Sequence, residues 1–297
     1  MSSRAWAGWA DLVPMQTLAG TSLHEAPSRT FNHPGDLAWW LGWWPKTTQE
    51  LAAITQIWEV DGAMVAWVVD DTGYIGECIA PGSLDDDVLL ASVDRWIDAR
   101  LPGHVRSVRD DDPMGIARLE AAGYRRVPDD MVAFSFDLDH LGPTGSDPRV
   151  STVARSDDIG ARLSVTHAAF GVDRPFDDYV AGYRRFMDSP AYPDGWDLVA
   201  WTPAGEAAAC CIAWPDPVSG VGNFEPVAAH PSFHRQGFAT IVMRDGLRRL
   251  RDAGMRRAVV RTPADNVAAI ALYRSVGFEP DHEQLAFRRP AAGGPID

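Results

Sequence analysis

The alternation of strand-like and helix-like stretches predicts an α/β (α+β) fold built as two tandem lobes, and three observations carry that reading. Residues 225–240, EPVAAHPSFHRQGFAT, read as strand, tight loop and amphipathic helix. The same order of elements occurs twice along the chain. Finally, Arg118-Leu-Glu-Ala-Ala-Gly-Tyr124 lines up with Leu272-Tyr-Arg-Ser-Val-Gly-Phe278 at a constant offset of 154 residues, from Gly123 to Gly277.

Taken in order, Asp11–Leu18 has the spacing of a helix. Phe31–Lys46 carries four of the twelve tryptophans: Trp39, Trp40, Trp43 and Trp44 form a broad stripe on a helix begun after Pro34 and Asp36. Core or interface packing and a ligand wall are both open for this stripe. Ile57–Val60 and Met64–Asp70 form a hairpin about Asp61-Gly62, and Asp71–Gly73 turns the chain into a third strand, Tyr74–Ala80. Val88–Ala99 is a helix, Val105–Val108 a strand, Pro113–Ala122 a helix ended by Gly123, and Met131–Leu138 a strand. The aperiodic Asp139–Arg149 marks a boundary, so the lobes span 1–140 and 150–290 with a linker at 141–149.

The second unit opens with a strand, Val150–Arg155, and a helix capped by Ser156 with Asp157 and Asp158 in its first turn. Its apolar face is Ile159, Leu163, Thr166 and Phe170, and an aromatic stripe of Phe176, Tyr179, Tyr183 and Phe186 follows. Leu198–Thr202, Ala207–Trp214 and Gly222–Ala229 are strands. Past Gly237 the apolar positions Ala239, Val242, Met243, Gly246, Leu247 and Leu250 recur at helical spacing, with Arg244, Arg248 and Arg251 on the other face. A helix start after such a loop presents unpaired N–H groups and a partial positive charge, which suits a phosphate or diphosphate. Gly237 permits close approach of an anion to the main chain, and Arg235 adds charge of the right sign. A glycine there also serves plain turn chemistry, so the loop alone leaves both readings open.

The run Val227-Ala-Ala-His-Pro-Ser-Phe-His234-Arg-Gln-Gly237-Phe-Ala239, followed by Asn266, Ala269, Tyr273, Gly277 and Phe278, resembles the two ordered motifs of the GNAT superfamily of acyl-CoA-dependent N-acyltransferases. His234 departs from the family's usual Arg or Gln. The resemblance covers about 60 residues and implies, for each lobe, a mixed, mostly antiparallel sheet flanked by helices. It also implies acetyl-CoA or another acyl-CoA as co-substrate. That co-substrate would be held by Val227, Ala228, Ala229, Arg235, Gln236, Gly237, Phe238, Ala239, Thr240, Asn266 and Ala269, with Arg261 and Thr262 lining the same groove. By the same resemblance Glu225 is the general base, Tyr273 protonates the departing thiolate, and the helix of the aromatic stripe borders the acceptor pocket. For Glu225 the alternative is a solvated strand glutamate, and for Tyr273 a core tyrosine. The tandem layout is similar to that of mycothiol synthase, with one working lobe.

The first copy lacks several of these features. Leu119 stands opposite Tyr273, Asp112 opposite Asn266, and Asp85, Asp86 and Asp87 precede its helix where the second copy has amides and arginine. Carboxylates there repel a diphosphate by about a kcal/mol or more each near a surface. A degenerate lobe that no longer binds cofactor is expected.

The net charge of −14 argues against nucleic acid, and no apolar run nears the 18 residues of a membrane span. Residues 1–145 hold 10 Lys and Arg against 22 Asp and Glu, while 146–297 hold 17 against 19, so the half with the anion loop is nearly balanced. An acidic first lobe either steers a cationic amine or is simply a solvated surface. The N-terminal MSSRAWAGWADLVP lacks an apolar signal core, and three cysteines make neither disulfide framework nor metal site; a cytoplasmic protein, monomer or homodimer, is expected. The favoured function is acetyl transfer to a small-molecule amine. The alternative is a non-catalytic acyl-CoA sensor or scaffold, which would share the anion loop and dispense with the proton-transfer residues.

Overall fold

The computed structural model describes residues 1–43, 46–99, 103–143, 145–153 and 159–289. Trp44, and the cap expected from Ser156, Asp157 and Asp158, lie outside the described residues.

The chain runs β1 (Ser2–Ala5), α1 (Leu12–Glu25), α2 (Pro34–Gly42), α3 (Thr48–Ile54), β2 (Thr55–Val60), β3 (Ala63–Asp71), β4 (Tyr74–Ile79), α4 (Asp87–Asp98), β5 (Val105–Arg109), α5 (Pro113–Ala121), β6 (Arg125–Arg126) and β7 (Met131–Asp137). The second unit follows as β8 (Val150–Thr152), α6 (Ile159–Ala169), α7 (Phe176–Met187), β9 (Asp197–Trp201), β10 (Ala207–Asp216), β11 (Val221–Ala229), α8 (Phe238–Asp252), β12 (Arg257–Pro263), α9 (Val267–Val276) and β13 (Glu279–Arg288). The repeat is plain at this level: one edge strand, two or three helices, a three-stranded meander, helix, strand, helix, closing strand. Its caps coincide too. Asp112 accepts from Gly115 N at the start of α5 and Asn266 accepts from Ala269 N at the start of α9.

The lobes do not build separate sheets. A single mixed, mostly antiparallel sheet runs β1-β2-β3-β4-β5-β13-β7-β12-β11-β10-β9-β8, with β6 paired to β13. At its centre the closing strands have changed places. β7, from the first unit, pairs with β12 along Met131–Asp137 and with β13, while β13 pairs with β5 of the first unit. Phe134 and Leu138 accordingly sit in the core of the second unit with Val260 and Tyr273. A Met131–Leu138 strand pattern reports burial and period; it holds no information on which of two similar sheets receives the strand.

The largest core cluster joins the units. Leu37 and Leu41 of α2 pack with Tyr179, Tyr183 and Phe186 of α7 and with Trp214 of β10. α2 lies close because its second residue is Gly35: a Cβ there would come within 2.4 Å of the Trp214 side chain. Under α7, Arg162 and Asp197 form a fully buried ion pair at 3.0 Å, with the Tyr183 and Tyr192 hydroxyls also donating to Asp197. The apolar face expected for α6 holds at Ile159, Leu163 and Thr166 and fails at Phe170, which is 54% exposed because the helix has ended at Ala169.

Candidate active site

The site forms where β11 leaves β12. Their parallel ladder runs from Val221/Arg257 to Phe224/Val260 and stops, while β12 continues through Arg261–Pro263 against β7. The register of β10 against β11 shifts between Cys211 and Ala213, which puts the extra residue of a bulge at Glu225-Pro226. Proline has no N–H to give to a ladder, so the strand parts there at little cost. Beyond the bulge, His230 N donates to Ala208 O on β10. By strand alternation the amides of Val227 and Ala229 therefore face the open edge, and Ala228 faces β10. The His234 ring lies at 3.2 Å from Ala229 O, so this residue braces the loop rather than reaching outward.

The loop then presents backbone. Arg235 (φ 61°) and Gly237 (φ 84°) are both left-handed, a conformation natural for the glycine, and the turn directs successive N–H groups to one side. Gly237 caps α8 without any side-chain acceptor, and the first helical bond is Ile241 N to Gly237 O. The amides of Phe238, Ala239 and Thr240 precede that bond and have no intrahelical acceptor. Arg235 is exposed beside them, and Gln236 ties back to Ser232 O at 3.4 Å. The first unit differs at the corresponding place: Asp86 caps α4 and accepts from Val88 N and Leu89 N, so its amides are taken.

The first unit also fills its own cleft. β4 and β5 pair only at Tyr74/Val105 and Ile75/Arg106 before parting. The gap admits Asn32, whose side chain donates to Glu77 O at 2.6 Å, and Arg106, which is ion-paired to Glu77 and Asp94 at 2.8 Å. Arg29 closes the far end against Asp112, leaving about 70 Å³.

Glu225 sits at the bulge between two cavities. One, about 290 Å³, is lined by Trp39 and Trp43 of the first unit and by Thr166, Phe170, Val172 and Tyr179 of the second, with Glu225 and Pro226. The other, about 330 Å³, runs between the units past Asp36, Asp71, Asp129 and Arg261. Burial raises the Glu225 carboxyl to about 7; the Asp36 charge adds to the rise and Arg261 opposes it. Tyr273 is buried, edge-on to Phe134 at 5.9 Å, and its hydroxyl is held well above its ordinary value by burial and then by the charge of Glu225.

Of the other residues singled out from sequence, Asn266 and Ala269 are joined to each other in the α9 cap, which occupies the Ala269 N–H. Arg261 pairs with Asp36 and donates to Phe31 O at 3.3 Å, so half of a buried polar node comes from the first unit. Sequence reasoning missed Asp36, His33 and Asn223. Asp36 accepts from Asn223 Nδ2 at 2.8 Å and from His33 N at 2.8 Å, and the His33 ring reaches Val221 O at 3.1 Å. His33-Pro-Gly-Asp36 is legible as a helix start, yet nothing in it points to a partner 187 residues away. Among the described residues no His, Cys, Asp and Glu group has the makings of a metal site, and no helix is long and apolar enough to cross a membrane.

A split parallel strand pair with an uncapped helix start beyond it, set in a duplicated lobe, defines a tandem protein of the GNAT fold. The architecture recurs over whole chains: the tandem GNAT protein of the clavulanic acid biosynthesis pathway (16% identity, TM-score 0.65, 100% of this chain and 99% of that one) and an acetyltransferase from Colwellia psychrerythraea (15%, 0.63, 98% and 100%). A GCN5-related N-acetyltransferase from Sphaerobacter thermophilus aligns over 98% of this chain and 96% of its own (18%, 0.58). At these identities the likeness is one of fold. Residues 167–278, most of the second lobe, match the Acetyltransferase (GNAT) family. A curated relative, the mycothiol acetyltransferase of Nocardia farcinica (strain IFM 10152), is 32% identical over 98 residues, a match spanning 29% of this chain and only 32% of that protein.

Proposed function

We propose that the protein is an acetyl-CoA-dependent N-acetyltransferase acting on a small-molecule amine, with one working site, in the second lobe. The observation that carries this reading is the conjunction at β11: a carboxyl poised near neutrality at the bulge, two outward amides just beyond it, and the uncapped start of α8 at the strand's end.

The chain's own groups fit the parts of acetyl-CoA. The amides of Phe238, Ala239 and Thr240 and the Arg235 guanidinium suit the diphosphate. Val227 and Ala229 extend the sheet edge toward an amide-bearing pantetheine arm, whose thioester supplies an activated acetyl group. Glu225, largely ionised just above neutral pH, takes the proton of the attacking amine. As the new C–N bond forms and the C–S bond breaks, the Tyr273 hydroxyl gives its proton to the sulphur; its elevated pKa keeps that proton in place beforehand. Asn266 serves by fixing α9, and with it Tyr273, through its cap. The first lobe is degenerate on this reading, its amides capped by Asp86 and its cleft filled by Asn32 and Arg106.

Thiol release from acetyl-CoA over an amine panel tests the proposal. Glu225→Gln and Tyr273→Phe should each lower kcat by about 10²–10⁴-fold with the affinity for acetyl-CoA retained. Undiminished turnover in either variant removes that residue's role, and acetyl-CoA binding without release for every amine favours a non-catalytic acyl-CoA sensor.

A further inference from the structure

The cavity beside Glu225 is walled by both lobes, and its chemistry is one-sided. Trp39 and Trp43 are stacked, with centroids 4.9 Å apart and planes at 7°, and Tyr179 stands edge-on to Trp43 at 5.2 Å. The two hydroxyls in the wall are engaged. Tyr179 donates to Thr166 Oγ1 at 3.0 Å, and Thr166 donates to Leu163 O at 3.2 Å. Among the described residues of the lining, Glu225 is the only charged one. Phe170, 54% exposed just past the end of α6, is a large apolar ring at the rim.

A volume of about 290 Å³ is that of about ten water molecules in the liquid. Aromatic walls favour a flat apolar body, ring faces attract a cation, and one carboxylate at the end attracts an ammonium. A polyhydroxylated body would lose its hydration against this wall without replacement hydrogen bonds.

We propose that the acceptor is a primary amine carrying a flat apolar body of about ten non-hydrogen atoms, the arylalkylamine class, and that Trp39 and Trp43 of the first lobe select it. This rests on the acetyltransferase reading above and adds a role for the lobe without a working site. The body lies against the stacked tryptophans and Tyr179, and the nitrogen meets Glu225 where β11 opens.

The test pairs catalysis with binding. In thiol-release assays 2-phenylethylamine should exceed glucosamine and spermidine in kcat/KM by about tenfold or more. Trp39→Ala should raise its KM by about tenfold while the KM for acetyl-CoA moves less than about twofold. Trp39→Phe should restore most of the loss. Phe170→Ala, at an exposed position, should raise the amine KM in the same direction without unfolding the protein. Calorimetric titration with 2-phenylethylamine alone separates the two readings. Saturable binding lost in Trp39→Ala, in a protein that releases no thiol with any amine, would sink the enzyme reading and sustain the chamber. Glucosamine or spermidine as the better substrate, or no binding of 2-phenylethylamine to the wild-type protein, would overturn the chamber.

Discussion

Glu225 is set between two opposed charges, so its titration can be moved either way. Asp36 raises it and Arg261 lowers it, and the two are ion-paired with each other. Replacing Asp36 with Asn removes the raising charge and leaves Arg261 free to act on Glu225; both changes push the carboxyl below about 7. Replacing Arg261 with Met does the reverse. A nearby charge shifts a carboxyl by about one unit or more, and one unit is taken for each change. With the midpoint at about 7, a base active only when ionised retains about a tenth of its plateau rate at pH 6. A one-unit fall in Asp36→Asn raises that to about half, and a one-unit rise in Arg261→Met cuts the relative rate at pH 7 from about a half to about a tenth. The assay is kcat as a function of pH, each variant normalised to its own alkaline plateau, so a general loss of activity does not enter. Displacement of both variants in the same direction, or a limb near pH 7 that survives in Glu225→Gln, would refute the assignment of that limb to Glu225.

Further outcomes follow from the same structure. Ala239→Glu places a carboxylate in the first turn of α8: it should weaken coenzyme A binding by about tenfold or more, while adding about 0.3–1 kcal/mol to helix stability by favouring the dipole, read by calorimetric titration and melting. Glu225→Gln should stabilise the fold at pH 8 by up to about 3 kcal/mol and not at pH 4, because a carboxyl raised to about 7 destabilises the folded state as pH climbs from its unfolded value through 7; urea melts at the two pH values decide it. Asp197→Asn leaves Arg162 charged and buried without its counter-ion and should cost about 3–5 kcal/mol in the same melts. A chain begun at residue 141 lacks β7, which deprives β12 of its antiparallel neighbour and the core of Phe134; it should show no cooperative unfolding transition.

Much of this was legible from pattern. The Asp61-Gly62 hairpin, the Gly237 turn that opens α8 and the matched helix ends at Gly123 and Gly277 depend on neighbours in the chain, and the structure has them where local chemistry puts them. The element beginning at Thr48 was missed although Thr47 and Glu50 carry a capping box, a signal that was there to be read. The exchange of β7 and β13 is of another kind. β7 is largely apolar and β13 is apolar only at Leu285–Phe287, and neither pattern names a partner strand, so the choice between two similar sheets is decided by tertiary packing. Arg261 shows the same limit at the site: its place at the end of β12 suggested the cofactor groove, whereas a buried Asp36 from the other lobe holds it. Distant ion partners leave no trace in one sequence, while an uncapped Gly237 does.

The location of the nucleotide is decisive for the function of the second lobe. A crystal structure of the protein with coenzyme A bound is the direct measurement: the diphosphate should lie on the amides of residues 238–240, with the thiol end reaching the bulge at Glu225 and one molecule per chain. A diphosphate lodged instead by Asp86 at the start of α4, or crystals grown at saturating coenzyme A that hold none, would contradict it.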